Sequence, residues 1–238
     1  MNVRLVDVRP YADYAAGHLP GAVHLDPEAD LSAIGPDAAD GGRHPLPSAE
    51  QLATVFGRAG IDEDTFVLAL DNGTGWAARC WWLLRHVGHD AAGTLDVRGY
   101  AGPLTTAASA EPTVATTAFT ARERAGDTIS AEEILERLGD PTLVLYDARS
   151  PERWRGETEP LDPVAGRIPG SRNAFFEEPL PEDASAQPEL AAYCGSGVTA
   201  CVIVQQLGLA GRDDVRLYPG SFSEWCRRAG YPIEKGTP

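Results

Sequence analysis

This 238-residue chain predicts an α/β architecture built twice, two domains each with a central, mostly parallel sheet flanked by helices. Three observations carry that prediction. The first is an internal repeat: Leu5-Val6-Asp7-Val8-Arg9 leads to Gly17-His18-Leu19-Pro20-Gly21-Ala22, and Leu145-Tyr146-Asp147-Ala148-Arg149 leads to Gly166-Arg167-Ile168-Pro169-Gly170-Ser171. The second is the alternation of short Val- and Leu-rich runs with helical patterns, the signature of a parallel sheet covered by helices. The third is a pair of strand, glycine-turn and helix phrases, one after Phe66–Asp71 and one after Leu190–Cys194. From Asp7 to Asp147 the spacing is 140 residues and from Asp71 to Cys194 it is 123. Unequal insertions in two copies of one domain explain the difference, and spacings this long exclude a solenoid of short repeats.

The first strand runs into Asp7 almost from Met1, and a second is expected over 66–71. Trp76–His86 is a helix with bulky apolar residues on most sides. The stretch from about Ala101 to Ala118, rich in Ala, Thr, Ser and Pro without periodicity, reads as the connection between copies. Ser130 opens the next helix with a Ser-x-x-Glu capping box and Gly139 closes it. A strand then ends near Asp147, and the apolar run Leu190–Tyr193 ends at Cys194. The boundaries read as an N-terminal domain over 1–105, a linker over 106–127 and a C-terminal domain over 128–238. Asp7 with Arg9, and Asp147 with Arg149, are expected to tie the ends of central strands to the loops that follow. Trp81 and Trp82 are expected to be packing residues.

With 43% hydrophobic residues the chain can bury a sizeable core. A formal net charge of −15 argues against a nucleic-acid or anionic-membrane surface. No run approaches the roughly 18 apolar residues of a membrane span. The N-terminus lacks the basic-then-apolar layout of a signal peptide, so a soluble, cytoplasmic protein is expected. Lys235 is the one lysine, so positive charge is almost all arginine, the side chain suited to holding carboxylates or sulfur oxyanions with two parallel hydrogen bonds. Cys80, Cys194, Cys201 and Cys226 are too few and too irregularly spaced for a disulfide framework or a metal site. Reduced thiols, no metal and no cofactor are expected.

Cys194 is the strongest chemical signal. A strand ends there, the tight turn Gly195-Ser196-Gly197 follows, and a helix begins at once, so backbone N–H groups and the positive end of a helix converge on one sulfur. Such a setting favours the nucleophilic thiolate. In open parallel sheets, ligand sites lie beyond the carboxyl ends of the strands, where Cys194 falls. The alternative is a buried core cysteine.

Taken together, Asp-x-Arg followed by Gly-His-Leu-Pro-Gly-Ala, Gly42-Arg43-His44-Pro45-Leu46-Pro47, Arg79–Arg85, Arg155-Gly156-Glu157-Thr158-Glu159-Pro160 and Cys194-Gly195-Ser196-Gly197-Val198-Thr199 resemble the tandem rhodanese-like sulfurtransferases over nearly the whole chain. The resemblance implies two rhodanese-like domains, an inactive first one with Asp71 in the cysteine slot and a catalytic second one. Members of that family usually carry a short segment before the first strand. Here Met1 stands almost at that strand, so either a late start or a trimmed domain edge is expected.

The loop Cys194-Gly195-Ser196-Gly197 looks like that of the 3-mercaptopyruvate enzymes rather than the Arg-Lys-Gly loop usual in the thiosulfate enzymes. The implied reaction moves sulfane sulfur from a small-molecule donor, 3-mercaptopyruvate or alternatively thiosulfate, through a Cys194 persulfide. The acceptor would be cyanide or a thiol such as thioredoxin or a low-molecular-weight thiol. Gly195, Ser196, Gly197, Val198 and Thr199 would form the N–H cradle, with Ser196 also a proton relay or only a helix N-cap.

Arg155 is expected to grip the donor, its alternative being a surface ion pair with Glu157 or Glu159. Several relatives have a second arginine after the Glu-Pro, where this chain has Leu161. Arg167, in place of a more usual histidine, either compensates or pairs with a neighbouring carboxylate. His44 and Asp26 fall near positions proposed to work with the loop serine as a proton relay, the alternative for His44 being a surface or packing role. Cys80 and Cys201 read as packing, and Cys226 as a potential regulatory thiol. A Cys-x5-Arg phosphatase, which shares the fold, is excluded by Ala200 and by the short loop. A carrier that presents a persulfide without turning over small donors is the remaining alternative.

Overall fold

The computed structural model describes residues 2–106 and 114–237, so part of the expected linker, residues 107–113, lies outside the described residues. The chain divides into two compact units, one made of Met1–Ala33 and Leu46–Arg124, the other of Ile34–Pro45 and Ala125–Pro238. The segment 34–45 leaves the first half of the chain and belongs to the second unit. Among the described residues, no helix is long and apolar enough to cross a membrane.

In the first unit, β1 (Asn2–Asp7), α1 (Tyr11–Ala16), β2 (Val23–His24), α2 (Ala49–Arg58), β3 (Thr65–Asp71), α3 (Trp76–His86) and β4 (Ala92–Asp96) follow in order. The sheet order is β2-β1-β3-β4, with every pair parallel. The second unit repeats this plan with α4 (Ala131–Glu136), β5 (Leu143–Asp147), α5 (Pro151–Arg155), β6 (Arg172–Asn173), β7 (Glu189–Tyr193), α6 (Ala200–Leu209), β8 (Arg216–Leu217) and α7 (Ser221–Trp225). Its sheet order is β6-β5-β7-β8, again all parallel. The twofold α/β plan read from the repeat is therefore the observed one.

The repeated Asp-x-Arg phrase has the same job in both copies. Arg9 grips Asp7 and donates to the Gly17 carbonyl at 2.8 Å, and Arg149 grips Asp147 and donates to the Gly166 carbonyl at 2.7 Å. Each arginine fastens the carboxyl end of a central strand to the turn that leads back to the edge strand. Helix α3 spans the predicted residues and buries every side chain from Ala77 to Leu84, Trp81 and Trp82 included. Ser130 caps α4 by accepting from the Glu133 N–H at 3.1 Å. The apolar core of the second unit gathers Ile134, Leu145, Phe222 and Trp225 with Tyr193, the residue before Cys194.

Candidate active site

Strand β7 ends at Tyr193, whose side chain is locked in place. It is fully buried, and its hydroxyl accepts the Ile168 N–H at 3.2 Å and meets Ser171 Oγ at 3.0 Å. The next residues are held by the start of α7. Cys194 N–H donates to Ser221 Oγ at 3.1 Å, while the carbonyls of Cys194 and Gly195 each accept at 3.0 Å, from the Phe222 and Ser223 N–H groups. Ser221 takes a φ of 55°, a left-handed conformation unusual for serine, in order to do this. Gly197 has φ +81°, and a Cβ there would stand 2.3 Å from the Pro219 carbonyl oxygen. Only glycine fits that position.

The result of this bracing is a turn whose amides face the sulfur. Gly197 N–H lies 3.1 Å and Ser196 N–H 3.4 Å from Cys194 Sγ, the arrangement that stabilises negative charge on a nucleophile. Cys194 is 2% exposed. Gly195 belongs to the same turn, and Val198 and Thr199 lead into α6, with Thr199 at its N-cap position. Ser196 Oγ lies 2.8 Å from His44 Nδ1, so the arm 34–45 brings a titratable group to the loop serine. Asp26 lies in the first unit, where its Oδ1 accepts the N–H groups of Glu28 and Ala29 at 3.0 and 2.8 Å.

Both arginines expected to hold a donor have carboxylate partners. Arg155 pairs with Glu157 at 2.7 Å, the surface ion pair weighed against its binding role. Its guanidinium is raised from its ordinary range by that hydrogen bond. Arg167 bonds Glu234 at 2.5 Å and the Gly236 carbonyl at 2.6 Å and lies over the Trp154 ring, so it anchors the C-terminal tail.

The arginines that do reach the loop are ones the sequence did not single out. A methyl group on Gly195 would stand 3.0 Å from Arg43 Nη2 and 3.3 Å from Arg153 Nη2. Arg153 is held by Glu159 at 2.7 Å, and Arg43 by Asp162. Asp162 also accepts from Arg227 at 2.7 Å, and its side chain is 0% exposed. Behind them Arg149 bonds Asp147 and Glu159 and lies 4.1 Å over the Phe222 ring. Burial pulls its guanidinium down, but the charge and hydrogen bond of Asp147 together with the Tyr193 and Glu159 charges raise it above its ordinary value, so it stays charged.

The other thiols lie in different settings. Burial pushes Cys80 up to about 12. Cys201 is fully buried, with its thiol donating to the Gly197 carbonyl at 3.4 Å. Half-buried Cys226 is raised by burial first and by the Asp162 charge second. Among the described residues, no three His, Cys, Asp or Glu side chains are grouped so as to hold a metal ion.

In the first unit a carboxylate occupies the corresponding turn. Asp71 accepts the N–H groups of Gly73 and Ala77, each at 3.0 Å, and the Thr74 hydroxyl at 3.2 Å. The amides that would cradle sulfur are spent on an internal anion.

These two turns, one filled by a carboxylate and one presenting a thiol, sit on repeated parallel sheets, and the rhodanese-like domain family matches residues 1–102 and 130–228. The chain belongs to that family. A Pseudomonas aeruginosa protein named "Probable 3-mercaptopyruvate sulfurtransferase" is 38% identical over 245 residues, covering 94% of this chain and 86% of its own length. SseB of Mycobacterium tuberculosis, whose name gives thiosulfate sulfurtransferase, is 35% identical over 261 residues, 98% of this chain and 89% of its own. The crystal structure of Tum1 from Saccharomyces cerevisiae superposes with a TM-score of 0.82 at 20% identity, over 100% of this chain and 93% of that one, a likeness of fold.

Proposed function

We propose that this sulfurtransferase takes sulfane sulfur from 3-mercaptopyruvate onto Cys194 and passes it to a thiol or to cyanide. The observation that carries the reading is the pair of turn amides on Cys194 Sγ, with Ser196 Oγ and His44 Nδ1 in contact beside them.

In the first half-reaction the Cys194 thiolate attacks the donor sulfur, the carbon–sulfur bond breaks, and its electron pair stays on carbon as the enolate of pyruvate. The Ser196–His44 pair delivers the proton that this carbon needs, and a persulfide remains on Cys194. In the second half-reaction an acceptor thiolate attacks the outer sulfur, and Cys194 leaves as the thiolate. The Ser196 and Gly197 amides favour the ionised Cys194 that opens the first step and the thiolate that departs in the second.

Arg153, which stands closer to the Cys194 turn than any contact places Arg155, supplies the cation for the donor's carboxylate. Asp26, with its carboxylate engaged in its own turn, has no step assigned. The acceptor is thioredoxin or a low-molecular-weight thiol of the cytoplasm, a reading supported by the four free cysteines. Thiosulfate is the second reading, favoured by the name of the mycobacterial relative.

Steady-state turnover of both donors, with thiol and with cyanide, tests the proposal. Turnover of 3-mercaptopyruvate with higher kcat/KM than thiosulfate, abolished by Cys194→Ser, is the expected result. Equal turnover by that variant would overturn it.

A further inference from the structure

Residues 157–165 carry the two carboxylates that hold the arginines beside the Cys194 turn, Glu159 on Arg149 and Arg153, and Asp162 on Arg43 and Arg227. Both carboxylates are buried, their side chains 2% and 0% exposed. The apolar side chains of the same segment are not: Leu161 is 60% and Val164 37% exposed, and Pro160 and Pro163 are exposed as well. A segment that turns charge inward and apolar groups outward gains little from burial, so its place must be fixed at its ends. Those ends meet. A Cβ on Gly156, the left-handed residue that closes α5, would stand 3.0 Å from the Gly166 Cα, so 157–165 is an Ω-loop with a narrow neck.

Residues 233–236 close that neck from outside. A Cβ on Gly166 would stand 2.4 Å from Ile233 Cγ2, and one on Gly156 3.1 Å from Lys235 Cγ. Arg167 and Glu234 exchange both backbone hydrogen bonds, at 2.9 and 3.0 Å, and their side chains pair at 2.5 Å. The other oxygen of Glu234 accepts the Gly170 N–H at 2.9 Å. That N–H first, and Arg167 after it, outweigh burial and hold the Glu234 carboxyl below the usual range, so it is charged at neutral pH. The same residues finish α5. Gly236 N–H donates to the Arg155 carbonyl at 2.9 Å, while Arg167 lies 4.2 Å over the Trp154 ring and extends Nη1 to the Gly236 carbonyl at 2.6 Å and towards that of Trp154 at 3.4 Å. Carbonyls that a helix end leaves unpaired thus find a backbone amide and a cation.

We propose that residues 233–236 are the latch of the 157–165 loop, and that Arg167 and Glu234 are positioning residues for donor binding, which by closing the neck keep Glu159 and Asp162 in place behind the arginines of the Cys194 turn. The proposal rests on the reading of Cys194 as the sulfur-accepting residue. With the latch open, the loop has no buried apolar side chain to hold it, and α5, only five residues long, loses the partner of its last carbonyl. Arg153 sits on that helix and bonds Glu159 of that loop, so both of its supports loosen together.

Glu234→Ala tests it, at a side chain 39% exposed and therefore replaceable without opening the core. Amide hydrogen exchange reads the loop directly, because the N–H groups of Leu161 and Asp162 donate to Glu159 Oε1 at 3.1 and 3.3 Å. In the variant, exchange over 157–165 is expected to quicken by about tenfold or more, with 190–209 unchanged. KM for 3-mercaptopyruvate should rise by about tenfold while kcat stays within about twofold, and transfer to cyanide from preformed persulfide should be unaffected. Glu234→Gln, which keeps one acceptor for Arg167, should lose less on both readouts. Unchanged exchange over 157–165, faster exchange there with an unchanged KM, or exchange raised uniformly across the second unit would each overturn the proposal. A wild-type chain that turned over no donor would instead overturn the functional reading, while the exchange comparison would still show whether Glu234 holds the loop.

Discussion

Replacing Gly197 by alanine tests whether the turn's shape, and not only its cysteine, makes the site. The new Cβ would stand 2.3 Å from the Pro219 carbonyl oxygen and 3.2 Å from its carbon, with backbone at φ +81°. A left-handed L-residue costs about 1–2 kcal/mol, and forcing a methyl into packed backbone about 1–3 kcal/mol more, so a loss of about 2–5 kcal/mol is expected. Relief must come from moving the turn, because no side chain can rotate away. That movement takes the Gly197 N–H off the sulfur it now meets at 3.1 Å. A hydrogen bond to a charged group contributes about 1.5–3 kcal/mol, so persulfide formation should slow by about 10- to 150-fold. Rapid-quench single turnovers without acceptor read the rate, and urea unfolding reads the stability. Gly211 is the control: it has φ +88° but nothing within 4 Å of a Cβ, so Gly211→Ala should carry the strain without the kinetic loss. A folded Gly197→Ala protein that forms persulfide at the wild-type rate would refute the reasoning.

The arm 34–45 should be as sensitive. At Gly42, φ is +83° and a Cβ would lie 2.4 Å from the Gly220 carbonyl oxygen, so Gly42→Ala lifts His44 from Ser196 and should cut kcat/KM by about 10- to 100-fold in steady-state assays. Ser221→Ala removes both the acceptor for Cys194 N–H and the donor to the Tyr218 carbonyl, so thermal or urea unfolding should show a loss of about 1–3 kcal/mol. Ser221→Gly, which relieves the positive φ, should lose less. The Asp140 carboxylate is held down to about 2 by the Thr142 hydroxyl first, then by its amide and by Arg137. A depressed folded-state value means that its stabilisation is complete above the ordinary carboxylate range and is lost as pH falls towards 2. Asp140→Asn should therefore flatten the fall in urea midpoint between pH 4 and pH 2, and an unchanged slope would show that the interaction contributes nothing.

The parts of the fold and site that depend on nearby residues were readable from the sequence. The Asp-x-Arg phrase binds a partner two residues away, and the turn after Tyr193 is built from neighbours, so repetition and spacing exposed both. The contact between His44 and Ser196 crosses 152 residues, and it came only through family resemblance. Arg43 stands in the Gly42–Pro47 motif, yet nothing local to it shows that residues 34–45 belong to the second unit. Arg153 and Arg155 lie two positions apart in a five-residue helix, about 200° around its axis, so one can face the loop and the other cannot. Sequence spacing does not say which. Arg167 has its partner 67 residues on, in a tail whose course the sequence does not reveal.

In the proposed reaction the amides of the Cys194 turn let its sulfur carry a second sulfur atom. Mass analysis of the protein after reaction with 3-mercaptopyruvate, with no acceptor present, tests it most directly. A gain of one sulfur atom on the peptide holding Cys194, removed by thiol or cyanide and absent from Cys194→Ser, is expected. Sulfur found on the Cys226 peptide instead, or no gain on any cysteine while pyruvate is released, would contradict it.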